Sequence, residues 1–255
     1  MINNILKGLQ AYSGAFALIS KLKLWKYFAI PILISVVTAV IIGLSAYGLS
    51  DNLGHFIASV WPWDFGKETF TTISTFIGGL AILAIGLILY KHIIMALSAP
   101  FMSPVSEKIE AHLTGVQKSN YRNTSFTQQL WRGIRINFRN LAKELLITIP
   151  ILLLKFIPVV NIFSTALLFL VQAYYAGFGN MDYTFERHFS YKESVQFARK
   201  YRGVAIGNGI VFLLFLLIPV VGIILVLPMS VTASSISTVN LLKEEHRLAE
   251  HKTMV

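Results

Sequence analysis

The chain contains no cysteine, which excludes disulfides, thiol catalysis and thiolate metal sites. Charge is scarce as well. Asp, Glu, Lys and Arg make up 13% of the residues, against about 25% in soluble domains. Acidic residues are scarcer still, 12 against 22 Lys and Arg, for a net charge of +10. Enzyme motifs are missing: there is no Gly-rich phosphate loop, no His-Glu-x-x-His and no Gly-x-Ser-x-Gly. The six histidines, at 55, 92, 112, 188, 246 and 251, are scattered, and His246 and His251 read as part of a solvated tail. No catalytic residue, metal site or cofactor is expected. No Gly/Ser/Pro-rich linker divides the chain, so residues 1–255 read as a single domain. Residues 1–20 carry one lysine and no long apolar run. They read as a mildly amphipathic interfacial segment, with no cleavable signal peptide.

What is abundant is apolar. The types AVILMFWYC supply 55% of the chain, and the mean hydropathy is +0.65. Residues 24–49 hold one charge, Lys26, and residues 70–90 hold none, with apolar character persisting to Ala99. Each exceeds the roughly 20 residues that cross a hydrocarbon core, giving spans at about 24–49 and 70–99. Pro31 falls in the first span, where neighbouring helices can satisfy the freed carbonyl. Pro100 and Pro104 predict a sharp change of direction after the second.

The tetrapeptide Ile-Pro-Val-Val occurs twice, at 157–160 and 218–221. Proline has no N–H and biases the preceding residue out of the helix, so Pro158 and Pro219 mark turns. Around them lie two helical hairpins, 145–179 and 204–240. The first arm, 145–160, has 16 residues, about 24 Å of helix against a core of about 30 Å. The hairpins either span or re-enter, and Lys155 bears on the choice. In a spanning hairpin its ammonium snorkels to the outer interface. In a re-entrant one it needs a wet cavity or a partner. Duplicated, broken apolar hairpins are one way to build a transport site.

Charge distribution supplies the topology. Residues 50–69 contain one basic residue, Lys67, against Asp51, Asp64 and Glu68. Residues 91–143 hold eight Lys or Arg against Glu107 and Glu110, and 180–203 hold five more basic residues. Positive segments stay inside, which places both termini and these two loops in the cytoplasm. The basic excess is thereby topogenic, and nucleic acid is not an expected partner.

The stretch 125–144 is amphipathic. Phe126, Leu130, Ile134, Phe138, Leu141 and Leu145 share one side of a helical wheel, with Arg132, Arg135, Arg139 and Lys143 opposite. This reads as an interfacial helix with its basic face on anionic headgroups, or as a basic vestibule for an anionic substrate. Asp182, Glu186, Arg187 and His188 form a compact polar cluster after an apolar arm, read as local ion pairing or as a gate.

Several segments carry a family resemblance. The run from Leu97-Ser-Ala-Pro-Phe-Met through Glu107 and Glu110 to Leu113-Thr-Gly115 resembles the Ala-Ala-Pro-Phe-Asn…Glu…Glu…Leu-Thr-Gly segment of the bacterial CysZ sulfate permeases. The stretch from Gln172 through Asp182-Tyr183 to His188, the second proline-marked hairpin at 207–231, and 24–35 with Pro31 match in the same order. The likeness extends to the etoposide-induced membrane proteins. It implies an all-α integral membrane protein of the bacterial inner membrane. Two long transmembrane helices would be joined by two partly inserted, re-entrant hairpins. It also implies homo-oligomers and sulfate uptake feeding cysteine biosynthesis. The family's anion motif, roughly Pro-Gly-Leu-Arg-Arg, aligns with Leu22, Lys23, Leu24, Trp25 and Lys26, with Lys23 at the glycine.

The expected function is thus an inner-membrane anion transporter or channel. Its expected partners are an inorganic anion (sulfate or a related oxyanion), membrane lipids and further copies of itself. The substrate-binding candidates are Lys23, Leu24, Trp25 and Lys26. The pore or gate candidates are Glu107, Lys108, Glu110, Lys155, Asp182, Arg187 and His188. The alternative is a non-transporting membrane scaffold or lipid-binding protein of the same fold.

Overall fold

The structure is a computed structural model that describes residues 1–63, 65–116, 124–154, 157–218 and 220–245. Lys155, Pro219, His246 and His251 lie outside the described residues. Among the described residues all regular structure is helical. In order these are α1 (Ile2–Gln10), α2 (Ala15–Lys21), a 3-10 turn (Leu24–Tyr27), α3 (Ala29–Ala58), α4 (Lys67–Thr114), α5 (Phe126–Leu154), α6 (Pro158–His188), α7 (Tyr191–Lys200), α8 (Arg202–Leu216) and α9 (Val221–Glu244).

Helices α3, α4, α6 and α9 each hold an apolar run long enough to cross a membrane. Their surroundings differ. The most apolar windows of α3 and α4 are only 22% and 17% buried within the protein, whereas that of α9 is 72% buried. On α3 the inward side is small or polar, with Pro31, Ser35, Thr38, Ala46 and Gly54 buried. The outward side is Leu33, Val37, Ile41 and Leu44. That inside-out pattern suits hydrocarbon, since lipid tails take aliphatic side chains while close helix packing wants small ones.

Helix α4 has 48 residues, about 72 Å, so it extends well beyond a core of about 30 Å. The turn expected at Pro100 and Pro104 does not occur, because both prolines lie inside continuous helix. A helical proline strands the carbonyl four residues back and needs neighbours to stabilise it. Here α5 packs against the segment, with Gly133 so close that a Cβ would stand 2.9 Å from the Ala96 carbonyl oxygen. The Tyr183 hydroxyl also donates to the Met95 carbonyl at 2.8 Å.

Residues 126–154 form one helix, α5, which joins the amphipathic stretch to the first hairpin arm. Its basic side is shared between surface and protein, with Arg135 and Lys143 exposed and Arg132 and Arg139 half-buried. Phe126, Trp131 and Phe138 are exposed. Arg132 bonds Asp182, Arg135 stacks over Tyr191 at 4.2 Å, and Arg139 lies over Phe178 and donates to Asn140. Within lipid, the polar side of an amphipathic helix gains more from protein partners than from facing out.

Residues 1–20 are likewise docked on the protein. Ala15 and Ile19 are fully buried, and the Tyr12 hydroxyl donates to the Asn208 carbonyl at 2.9 Å. Helix α8 is pressed between α1 and α6. A Cβ on Gly209 would fall 1.7 Å from the Ala173 carbonyl oxygen. Only glycine permits that approach.

Candidate functional site

The C-terminal part of α4 and the C-terminal turns of α6 enclose a buried ionic network. Ser103, Ser106 and Glu110 recur at i, i+3 and i+7 and share a face of α4. Asp182, Tyr183, Thr184, Glu186, Arg187 and His188 come from the last two turns of α6. Arg187 donates to Glu110 through Nη2 at 2.8 Å and Nε at 3.3 Å, to Ser106 at 2.9 Å and to the Tyr183 carbonyl at 3.0 Å. His188 Nε2 lies 2.8 Å from the other Glu110 oxygen. Glu186 accepts from the Ser103 hydroxyl. Ser106, Thr184 and Ser235 continue as a line of hydroxyls into α9, at 2.7 and 3.3 Å.

Arg132 closes the network from α5. Its Nε and Nη2 grip both Asp182 oxygens at 3.0 and 2.9 Å, and it reaches the Phe189 carbonyl and the Ser194 hydroxyl. Burial opposes the charge on this guanidinium. Asp182, with Glu186 behind it, outweighs burial and holds the group above its ordinary pKa. Three carboxylates (Glu110, Asp182, Glu186) thus face two guanidinium groups and one imidazole, and each guanidinium is hydrogen-bonded to a carboxylate. Removing one partner from such a pair strands the other in low dielectric, which is why the set acts as a clamp on α4, α5 and α6.

A second buried set joins α4 to α5. Lys91 Nζ lies 2.7 Å and His92 Nε2 3.1 Å from the two Glu144 oxygens, with all three side chains buried. Sequence reading did not assign it. Its signal was available, since Lys91 and His92 interrupt an apolar run and Glu144 ends a basic stretch. Ser103, Ser106 and Thr184 were also missed, being unremarkable until α4 and α6 are packed.

The predicted anion motif sits apart. Lys23, Trp25 and Lys26 are exposed, while Leu24 is fully buried, so its side chain belongs to the core. Trp25 packs edge-on against Phe16 and Phe28. Lys23 has φ +52°, in the left-handed region. That region favours glycine, the residue the resembling motif places there. Lys26 Nζ lies 5.3 Å from the centre of the Tyr27 ring, and Lys108 Nζ, from α4, also lies 5.3 Å from it. Among the described residues no carboxylate pairs with Lys23, Lys26 or Lys108. Of the pore candidates, Glu110, Asp182, Arg187 and His188 meet in the network. Lys108 joins Lys26 at Tyr27, Glu107 is exposed, and Lys155 is not described.

Comparison with known proteins bears on this arrangement. A family profile described as "Sulfate transporter CysZ/Etoposide-induced protein 2.4" matches residues 11–226. The chain belongs to that family. It is 26% identical to the sulfate transporter CysZ of Pseudomonas paraeruginosa over 91% of this chain and 94% of the relative. It is 25% identical to the sulfate transporter CysZ of Pectobacterium atrosepticum over 89% and 82%. The matched region takes in the 3-10 turn and the whole ionic network. The protein is a membrane protein of a transporter family, with apolar helices to match.

Proposed function

We propose that this chain carries sulfate or a related oxyanion across the bacterial inner membrane, supplying sulfur for cysteine synthesis, and that it works as a homo-oligomer. The observation that carries the reading is the convergence of Lys26 and Lys108 on Tyr27, neither held by a carboxylate, at the entry to the first span. Two ammonium groups near one ring make a field of one sign, which an anion bound beside them relieves. Lys23 stands three residues away and adds to the same field.

The hairpins are proposed to re-enter. Helix α8 has 15 residues, about 22 Å, short of a core of about 30 Å. The exposed apolar residues of α6 end near Leu170, beyond which Ala173, Tyr175 and Ala176 are buried in protein. Both turns are greasy and bare, with Ile157, Ile162 and Phe163 on one and Leu217, Ile218 and Val220 on the other. These apolar side chains are favoured in hydrocarbon, whereas in water they would be costly. Both termini and the basic segments 91–143 and 180–203 then lie in the cytoplasm.

Sulfate flux into liposomes carrying the purified chain tests this function. Uptake above protein-free liposomes is the expected result. Absence of both flux and sulfate binding by folded protein would overturn it in favour of a membrane scaffold.

A further inference from the structure

On the face formed by α5, α6 and α8 lies an open groove of about 480 Å³. Its walls are aliphatic: Ile147 from α5, Leu167, Leu170 and Val171 from α6, and Ile206 from α8. At one end the lining changes to Tyr174, Tyr175, Arg199 and Arg202. The two tyrosine rings meet edge-on at 5.0 Å. Arg199 and Arg139 act electrostatically on both, and Arg202 on Tyr174. The acidic group within reach of Tyr175, Glu144, is already held by Lys91 and His92. Unlike Arg132 and Arg187, neither Arg199 nor Arg202 has an ion-pair partner among the described residues, and both are exposed.

We propose that this groove is a binding site for an anionic phospholipid, independent of the anion that the protein transports. The argument is charge complementarity joined to shape. The guanidinium groups match a phosphodiester with their planar donor forks. Arg202 opens α8, so the positive end of that helix adds to the field. The tyrosines sit where an amphipathic ring is favoured, between headgroup and acyl chain. The aliphatic walls then run along the hairpin arms away from the charged end, as an acyl chain would. A free phosphate would leave those walls bare, and a zwitterionic lipid would bring its own cation against the arginines.

The test is native mass spectrometry of the full chain released from nanodiscs of equal phosphatidylglycerol and phosphatidylcholine. Wild type is expected to retain phosphatidylglycerol over phosphatidylcholine by several-fold, because both carry the phosphodiester but the choline cation opposes the two arginines. Arg199→Gln with Arg202→Gln is expected to bring the ratio close to parity, while Lys192→Gln, exposed elsewhere on α7, leaves it unchanged. Leu170→Trp, which fills the apolar wall and keeps both charges, is expected to lower retention as well. It serves alone if the double variant does not fold. Glycerol phosphate in excess is expected not to displace the lipid. Parity in wild type, an unchanged ratio in the double variant, or displacement by glycerol phosphate would overturn the proposal. So would efficient cross-linking between copies through Leu170→Cys in phosphatidylglycerol, since a second copy would then cover the groove.

Discussion

The α4–α6 network and the lysines around Tyr27 are both charged features at the ends of membrane helices, yet they are built in opposite ways. In the network, Arg187 is buried and Arg132 half-buried, and each is bonded to a carboxylate and to further acceptors. Around Tyr27 the lysines are exposed and no carboxylate of the described residues answers them. A cation already held by a buried carboxylate is a poor receptor for an incoming anion, because binding would have to break a desolvated pair. A cation without a partner gains from every anion that arrives. That difference supports the proposal that the first region is architecture and the second captures the anion.

The largest effect that would break this comparison is expected in the network. Glu110→Leu strands Arg187 beside Ser106 and should cost about 3–5 kcal/mol. It would appear as a lowered unfolding temperature in detergent or a loss of monodisperse protein. A stability close to wild type would show that the network is not a clamp. Arg132→Lys removes the two-pronged grip on Asp182 while keeping the charge. It should cost about 1.5–3 kcal/mol by the same measurement, because an ammonium cannot reproduce the fork. An unchanged melting curve would contradict the geometry.

Much of this was legible in the chain, and the exceptions share a cause. Four charged or polar residues at 182–188 stand out after an apolar arm, so that half of the network could be read directly. Its other half, on α4, lies 77 residues from Arg187 in the Glu110 contact, and Ser103 and Ser106 carry no signal of their own. The prolines at 100 and 104 suggested a turn because local rules cannot know that α5 and Tyr183 stabilise the helix there. The wheel of 125–144 gave two faces but not which of the basic residues meet protein: Arg135 and Lys143 are exposed, whereas Arg132 found Asp182. At Lys23 the resemblance pointed to a glycine, and the left-handed backbone shows why that residue type suits the position.

Lys23 offers a smaller effect that sharpens the contrast. With φ +52° its side chain is strained, and Lys23→Gly should raise stability by about 1 kcal/mol. A decrease in the melting temperature would mean that the lysine side chain holds the turn in place.

The smallest effect on stability should accompany the largest on function, at Lys26 and Lys108. Both are exposed, and among the described residues no carboxylate pairs with them, so Lys26→Gln with Lys108→Gln should shift stability by no more than about 0.5 kcal/mol. Sulfate binding should nevertheless weaken at least about tenfold for each charge removed. The decisive measurement is therefore sulfate uptake into liposomes by this double variant beside wild type, at matched incorporation and unchanged melting temperature. Capture at Tyr27 predicts that uptake at subsaturating sulfate falls by well over about tenfold, since the two lysines share one anion and their losses need not simply multiply. Uptake equal to that of wild type would contradict it.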